Sequence, residues 1–311
     1  MKAVRIHQYG GREVLSLDET PVPDIAPDEV LVRVVAASIN PVDWKVRAGY
    51  LARMMPHQMP LTLGWDVSGV VAAVGSEVMQ WQVGDAVYSR PDLARNGTYA
   101  EFVAIRAHEC ARKPRTISHV EAASLPLAGI TAWEAMMDTA RVRAGQRVLV
   151  HAGSGGVGSL AIQLVKAAGA TVVATASGRN RALVESLGVD QFVDYTTTTL
   201  LHAVAPVDAV FDTIGGEVQE ASWSLLKPGG IQVSIISPPD EARAAAMGVR
   251  GGFVFIGPNA PVLDKLAGMV DGGRLRPIVG AEFALEDIAQ AHALSESGRA
   301  VGKIVLYVGK P

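Results

Sequence analysis

The chain has 311 residues, of which 49% are hydrophobic and 19% are charged, and its formal net charge is −3. This length and apolar content predict two domains with separate cores, while the weak, dispersed charge argues against nucleic acid or an anionic membrane as a partner. The single cysteine, Cys110, excludes an internal disulfide and a zinc site built from several cysteines, and it fits a reducing cytoplasm. We expect a soluble protein, because the start lacks the apolar stretch of a secretory signal and no apolar run is long enough to span a bilayer.

Residues 1–120 contain short β-rich segments separated by Pro and Gly, such as VLVRVVAAS, SGVVAAVG and GTYAEFVAI, and they predict a small antiparallel barrel or sandwich. From 121 to 257, apolar strands alternate with helical segments, which is typical of a parallel sheet covered on both faces. Residues 258–311 add two amphipathic helices and a closing strand. The predicted fold class is therefore α/β, with a β-barrel domain beside a doubly wound parallel-sheet domain.

The segment HAGSGGVG (151–158) follows the apolar strand RVLVHA and opens a helix, and its glycines match the pattern G-x-G-x-x-G. At such a helix start, free N–H groups and the helix dipole accept a pyrophosphate. The competing interpretation is a tight turn that merely needs glycine. The order strand, loop, helix, strand favours a dinucleotide site. Its predicted pyrophosphate-binding residues are Gly153, Ser154, Gly155, Gly156, Val157 and Gly158.

The next strand ends in ATASGRNR (174–181), and this segment selects the dinucleotide. NAD-preferring sites place an Asp or Glu about 20 residues past the glycines to bind the ribose 2′-hydroxyl. No acid occurs from 171 to 184 here, whereas Ser177, Arg179 and Arg181 supply hydroxyl and guanidinium groups that suit a 2′-phosphate. The sequence predicts NADPH. Alternatively, the two arginines are solvated charges at the start of a helix.

Five segments in the same order and spacing resemble the zinc-independent, quinone-oxidoreductase branch of the medium-chain dehydrogenase/reductase superfamily. They are AASINPVDWKVRAG (36–49), SLPLAGITAWEA (124–135), VLVHAGSGGVGSLAIQLVKAAGA (148–170), VFDTIGG (210–216) and GKIVL (302–306). The resemblance implies a GroES-like barrel built from the N-terminal part and the C-terminal tail, a Rossmann domain, and a nucleotide in the cleft between them. It also implies that Tyr195 joins Ser177 and Arg181 around the 2′-phosphate. The alternative for Tyr195 is a strand-end tyrosine half exposed to water.

Zinc-using relatives place a Cys-His pair where this chain has Asn40-Pro41, and a His-Glu pair where it has Trp65-Asp66. Because Asn and Trp are unusual zinc ligands, we expect no metal site. Without a Lewis acid, alcohol oxidation is disfavoured, and a quinone or an α,β-unsaturated carbonyl is the expected hydride acceptor. Asp43 and Asp66 are expected to hydrogen-bond the barrel backbone, with acid-base catalysis as the alternative.

Three residues are candidates for the catalytic machinery. Asn40 and Tyr50 are candidate hydrogen-bond donors to the oxygen on which charge develops, and Thr131 is expected by resemblance to face the nicotinamide. The alternatives are a loop cap before Pro41 for Asn40, a surface tyrosine for Tyr50, and a helix cap for Thr131. Ile236 and Phe255 lie in segments that follow two strands of the sheet, where we expect contact with the nicotinamide.

The apolar strand GGFVFIG (251–257) closes the strand series, and an exposed edge of this kind pairs readily with another chain. The matching strand of the resembled family pairs across a two-fold axis, which predicts a homodimer. Two further functions stay open. One is an enoyl-thioester reductase, and the other is an NADPH-binding structural or sensing protein with a vestigial catalytic pocket.

Overall fold

The computed structural model describes residues 1–309, and the chain separates into two compact units. The first unit contains residues 1–127, 257–273 and 277 onwards, and the second contains residues 128–256 and 274–276. The first unit is a β-barrel and the second is a parallel sheet flanked by helices. The predicted fold class, α/β with a β-barrel domain and a doubly wound parallel-sheet domain, is confirmed.

Ten strands build the first unit. They are β1 (Lys2–Ile6), β2 (Ser16–Glu19), β3 (Glu29–Ile39), β4 (Leu61–Thr62), β5 (Val67–Val74), β6 (Ala86–Ser89), β7 (Phe102–Arg106), β8 (Cys110–Arg112), β15 (Val279–Ala284) and β16 (Lys303–Tyr307). One sheet has the order β2-β1-β4, and the other has the order β15-β16-β3-β5-β6-β8, with β7 also pairing with β3. Pairing is antiparallel except between β15 and β16. The C-terminal strand β16 therefore completes the sheet begun by the N-terminal segment.

The six strands of the second unit form one parallel sheet. They are β9 (Arg147–Val150), β10 (Thr171–Ala176), β11 (Gln191–Asp194), β12 (Val207–Asp212), β13 (Leu226–Ser234) and β14 (Arg250–Phe253). Their spatial order is β11-β10-β9-β12-β13-β14, which is the order of a doubly wound dinucleotide-binding domain. The strand order reverses between β9 and β12. Ligands bind outside the carboxyl ends of the strands at such a switch point.

Helices connect these strands. They are α1 (Pro41–Arg47), α2 (His119–Ala123), α3 (Pro126–Trp133), α4 (Gly156–Ala167), α5 (Arg181–Glu185), α6 (Leu200–Ala203), α7 (Gly216–Ser222), α8 (Glu241–Ala246), α9 (Ala260–Asp271) and α10 (Ile288–Glu296). Helix α2 begins with a capping box, in which Ser118 and Glu121 satisfy each other's backbone N–H groups. Among residues 1–309, none of the helices combines the length and apolar character needed to cross a bilayer.

Candidate functional site

The glycine-rich loop joins β9 to α4 at the switch point of the parallel sheet. Its backbone is held by two main-chain hydrogen bonds, from Gly153 N to Thr175 O at 2.8 Å and from Gly155 N to Ala152 O at 2.9 Å. Ala152 has a φ of 47°, in the left-handed region, so the loop turns sharply just before the first glycine. The turn brings the loop onto the start of α4, where the first N–H groups have no intrahelical acceptor.

Glycine is required for a different steric reason at each of the three positions of the motif. A Cβ at Gly158 would lie 2.3 Å from Ala152 O, and a Cβ at Gly153 would lie 3.0 Å from both Ala174 Cβ and Ile162 Cδ1. At Gly155 the added atom would meet only Ala152 O, at 3.3 Å. Gly158 and Gly153 are therefore needed for helix, loop and strand packing. The backbone at Gly155 is open to a ligand, which fits a pyrophosphate at the helix start.

His151 is the only ionisable side chain of the loop. It is buried, and both of its ring nitrogens have hydrogen-bond partners. Its Nδ1 lies 3.2 Å from Thr175 Oγ1 and its Nε2 lies 2.9 Å from Ser222 Oγ. Burial lowers the pKa of His151 to about 4, so the imidazole is neutral at neutral pH. His151 therefore ties β9 to β10 and α7 and is not placed for acid-base chemistry.

A second group of residues lies at the end of β10, beside the glycine loop. The amide of Asn180 donates to Ser154 Oγ at 3.0 Å and lies 3.4 Å from Ser177 Oγ. The pyrophosphate loop and the predicted 2′-phosphate loop are thus joined by one side chain. Asn180 was not among the predicted site residues, and only its position inside ATASGRNR hinted at it.

Arg181 is held in place by two neighbours. Its guanidinium carbon lies 4.3 Å from the ring centroid of Phe192, and its Nη1 lies 3.2 Å from Glu185 Oε1. A guanidinium stacked on a ring keeps its N–H groups free along its edge, which suits a phosphate. Ser177 precedes Arg181 at the strand end, and the predicted partner Tyr195 follows β11 with 64% of its surface exposed. The structure brings Ser177, Arg181 and Tyr195 to one edge of the sheet, because β10 and β11 are paired in parallel.

Asp194, the last residue of β11, is an acid that sequence reasoning missed. Ala176 and Asp194 are register partners, so the carboxylate is adjacent to the loop that follows β10. Thr196 donates to Asp194 Oδ1 through its hydroxyl at 2.7 Å and its N–H at 3.0 Å. Those two bonds, with a further bond from the Gly178 backbone, lower the pKa of Asp194 below its usual range. The carboxylate is therefore ionised at neutral pH.

Ile236 and Phe255, the predicted nicotinamide contacts, follow β13 and β14 at the carboxyl edge of the same sheet. Both side chains are about half exposed, at 43% and 54%. The strand ends beneath them are fixed by Asp212, which accepts bonds from Ser234 Oγ at 2.7 Å and from Gly215 N at 2.8 Å. Asp212 is buried and hydrogen-bonded, so its role at this edge of the sheet is structural.

In the barrel, Asn40 and Asp66, which the resemblance aligns with zinc ligands of metal-using relatives, belong to a buried hydrogen-bonded cluster. Asp66 Oδ2 accepts bonds from Ser38 Oγ at 2.7 Å, Asn40 Nδ2 at 2.8 Å and Lys303 Nζ at 3.2 Å. Asp66 Oδ1 accepts the N–H of Leu127 at 2.7 Å. Lys303 Nζ also donates to Asn40 Oδ1. Both oxygens of the Asp66 carboxylate are thus already hydrogen-bonded.

These residues do not fit zinc. The amide oxygen of Asn40 faces an ammonium group, and the indole of Trp65 is completely buried. Within residues 1–309, no three His, Cys, Asp or Glu side chains lie close enough to bind a metal ion together. The donor set around Lys303 already contains a cation, and a second one would be repelled.

Asp43 lies beside this cluster at the start of α1. Its Oδ2 accepts bonds from Tyr99 Oη at 2.5 Å and from Asn40 N at 2.6 Å. Burial raises the pKa of Asp43 to about 7 despite these bonds. Asp43 and Asp66 therefore hydrogen-bond the barrel interior, as expected from sequence, and each accepts a bond from a backbone N–H.

The structure places the three candidate catalytic residues in different surroundings. Asn40 is buried, and its amide is engaged by Lys303 and Asp66. Tyr50 is 70% exposed and packs edge-on against Trp44, with ring centroids 6.2 Å apart. Thr131 is buried within α3, beyond its first turn, so a cap at the helix start is not its role. Of the three, Tyr50 has a side chain free to reach a ligand.

Comparison with known proteins identifies the class of protein. The alcohol dehydrogenase GroES-like domain matches residues 26–115, and the zinc-binding dehydrogenase family matches residues 187–306. The chain is 35% identical to the mitochondrial NAD(P)H oxidoreductase RTN4IP1 of Danio rerio, over 99% of this chain and 91% of that protein. It is 38% identical to the chloroplastic NADPH-dependent alkenal/one oxidoreductase of Arabidopsis thaliana, over 99% and 79%.

Among solved structures, the quinone oxidoreductase from Coxiella burnetii matches with a TM-score of 0.93 and 38% identity, over 99% of both chains. The chain therefore belongs to the medium-chain dehydrogenase/reductase superfamily, among its quinone-oxidoreductase-like members, and the resemblance seen in the sequence is confirmed. It is an oxidoreductase that uses a nicotinamide cofactor.

Proposed function

We propose that this chain is an NADPH-dependent reductase that transfers hydride to a quinone or an α,β-unsaturated carbonyl compound without a metal. The observation that carries the proposal is the continuous set of phosphate-binding groups at the carboxyl edge of the parallel sheet. The open backbone at Gly155 and the start of α4 suit a pyrophosphate, and Asn180 links that loop to Ser177. Arg181, stacked on Phe192, supplies the cation for a 2′-phosphate.

The cofactor, when bound, supplies the hydride, and the protein supplies position and hydrogen bonds. As hydride adds to the β-carbon of an enone or to a quinone ring, an electron pair moves to the carbonyl oxygen. A donor aimed at that oxygen stabilises the charge. We propose Tyr50 for this bond, because its side chain is 70% exposed and packs edge-on against Trp44. A proton taken from solvent then completes the reduced product.

Asn40 and Thr131 take supporting roles in this proposal. The Asn40 amide holds Asp66 and Lys303 at the start of α1, which fixes the segment that leads to Tyr50. Thr131 lies within α3. By resemblance to the family, we propose that it faces the nicotinamide of the bound cofactor. Alcohol oxidation is disfavoured, because the Asn40 and Asp66 side chains form hydrogen bonds with each other instead of a zinc site.

Assembly and compartment complete the proposal. We propose a homodimer that pairs through β14, which ends the six-stranded sheet and leaves Phe253 41% exposed. We propose a reducing compartment, the cytoplasm, because the chain has a single cysteine and so no disulfide framework within one chain.

The test is the consumption of NADPH by the purified full chain, with NADH in parallel, against quinones, alkenals, other enones and enoyl thioesters. We expect turnover with quinones or enones. A marked preference for thioesters would assign the enoyl-thioester reductase function instead. Tight NADPH binding with no turnover on any acceptor would support the structural or sensing role.

A substitution at Arg181 tests the assignment of NADPH as the cofactor. Arg181→Glu places a negative charge beside the 2′-phosphate, which is remote from the hydride, so the KM for NADPH should rise more than about tenfold while kcat stays within about twofold. Arg115→Glu, at a cation that is 93% exposed in the barrel unit, is the matched charge reversal and should change neither constant. Equal KM values in Arg181→Glu and the wild type would refute this role of Arg181.

A further inference from the structure

The loop proposed to bind the 2′-phosphate contains a carboxylate that belongs to the neighbouring strand. β10 and β11 run parallel, with Ala176 opposite Asp194, and the Asp194 carboxylate reaches across to Gly178. A Cβ at Gly178 would lie 2.3 Å from Asp194 Oδ2. The absence of a side chain at residue 178 is therefore what allows the carboxylate to lie directly against the loop backbone.

The contact is specific in its geometry. Thr196 fixes one carboxylate oxygen, Oδ1, through its hydroxyl and its N–H, and the Gly178 backbone helps to lower the pKa of Asp194. The other oxygen, Oδ2, thus lies against the same loop that contributes Ser177 and Arg181. Its orientation is set from both sides before any ligand arrives.

The charges around this loop oppose one another. The positive charge is that of Arg181. Its Nη1 lies 3.2 Å from the Glu185 carboxylate, and its guanidinium also interacts electrostatically with the Asp194 carboxylate. A dianionic 2′-phosphate that approaches Arg181 must lie near an ionised Asp194 and is repelled by it. A ribose 2′-hydroxyl, in contrast, can donate a hydrogen bond to the same carboxylate.

We propose that Asp194 is a specificity-determining residue that limits the preference of this enzyme for NADPH over NADH. The inference rests on the proposed function, because it concerns the nucleotide bound at that site. In this arrangement Arg181 and Phe192 favour the phosphorylated cofactor, and Asp194 favours the unphosphorylated one. The net preference is the difference between the two effects.

The experiment compares the wild type with Asp194→Asn, which removes the charge but keeps an amide oxygen that can accept the two bonds from Thr196. The dissociation constants of NADPH and NADH are measured separately by the fluorescence of the reduced nicotinamide on the purified full chain. We expect the Kd for NADPH to fall about five- to tenfold. The Kd for NADH should stay the same or rise, since its 2′-hydroxyl loses a charged acceptor.

Salt separates a charge effect from a structural one. The gain of Asp194→Asn in NADPH affinity should shrink at about 0.5 M NaCl, where the Debye length is only a few Å. A change caused by loop rearrangement would persist in high salt and would affect both nucleotides. Asp138→Asn removes one exposed carboxylate that precedes β9 in the same unit, and it should leave the NADPH/NADH ratio unchanged.

The outcomes separate this inference from the proposed function. If the wild type binds NADPH but Asp194→Asn leaves the NADPH/NADH ratio within about twofold of the wild type, Asp194 does not determine specificity and the inference fails alone. A gain that persists in high salt also overturns it. If the wild type binds neither nucleotide, the proposed function fails first. A ratio shifted at least fivefold toward NADPH, in low salt only, supports the inference.

Discussion

Lys303 and Asp66 form an ion pair inside the barrel, with Nζ and Oδ2 3.2 Å apart and side chains that are 7% and 0% exposed. The pair joins the C-terminal strand β16 to the segment before β5, across 237 positions of sequence. Nζ also donates to Ile39 O at 2.9 Å. A single ammonium group therefore holds three separate segments of the barrel together.

Lys303→Met should lower the free energy of unfolding by about 3–5 kcal/mol, because it leaves the buried Asp66 carboxylate without its counter-charge. Denaturant unfolding of the purified protein measures this. Lys2→Met breaks an ion pair with Glu286 in which both side chains are about half exposed, and it should cost less than about 1 kcal/mol. A loss below about 1 kcal/mol for Lys303→Met would contradict the role of the buried pair.

Gly158→Ala tests the steric account of the glycine loop. The new Cβ would lie 2.3 Å from Ala152 O, so the loop must shift away from the start of α4. We expect at least a tenfold loss of nucleotide affinity and a destabilisation of about 1–3 kcal/mol, measured by nucleotide titration and thermal unfolding. Gly268→Ala is the matched control, because Gly268 lies in the exposed face of α9 with no atom within 4 Å of the added Cβ. That change should stabilise the protein by about 0.5–1 kcal/mol, and a similar effect of the two variants would exclude the steric explanation.

The fold and the glycine loop were predictable because their signals are local. Strand, loop and helix follow one another between residues 147 and 167, and the requirement for glycine acts within that segment. Asp194 was not predictable in the same way, since it reaches Gly178 only through the register of β10 and β11. The stretch from 171 to 184 contains no acid, whereas Asp194 belongs to the next strand.

Lys303 shows the same limit at longer range. The segment GKIVL resembles the family, yet nothing in its pattern pairs Lys303 with Asp66, which lies 237 positions earlier in the chain. The sequence alone indicates that Asn40 and Trp65 are unsuited to bind zinc. That a lysine supplies the positive charge there follows from the pairing of β16 with β3.

Asp43 should make stability depend on pH in a particular direction. Its pKa is about 7 in the folded protein and near 3.8 in an unfolded chain, so the folded state binds the proton more tightly. Stability contributed by this group is therefore present at about pH 4 and is lost as the pH rises through about 7, by about 2–4 kcal/mol. Asp43→Asn lacks this dependence but keeps an acceptor for Tyr99 Oη.

The measurement is the free energy of unfolding of both proteins between about pH 4 and 8. Burial lowers the pKa of His151 and His292, which has the opposite effect on stability, but both histidines are present in each protein and cancel in the difference. The wild type should lose stability relative to Asp43→Asn as the pH rises. Parallel curves would show that Asp43 keeps an ordinary pKa in the folded state.

The proposed dimer is tested at the edge of the parallel sheet. Among residues 1–309, β14 pairs only with β13, its glycines leave the backbone accessible, and Phe253 exposes 41% of its surface. Light scattering should give the mass of two chains at micromolar concentration. Phe253→Lys places a charge on the edge and should raise the dimer dissociation constant at least tenfold. Met79→Lys, at an apolar side chain in the other unit that is 90% exposed, should leave the mass unchanged. A wild-type protein with the mass of one chain would reject pairing through β14, because an edge strand buried by a partner cannot coexist with a monomer.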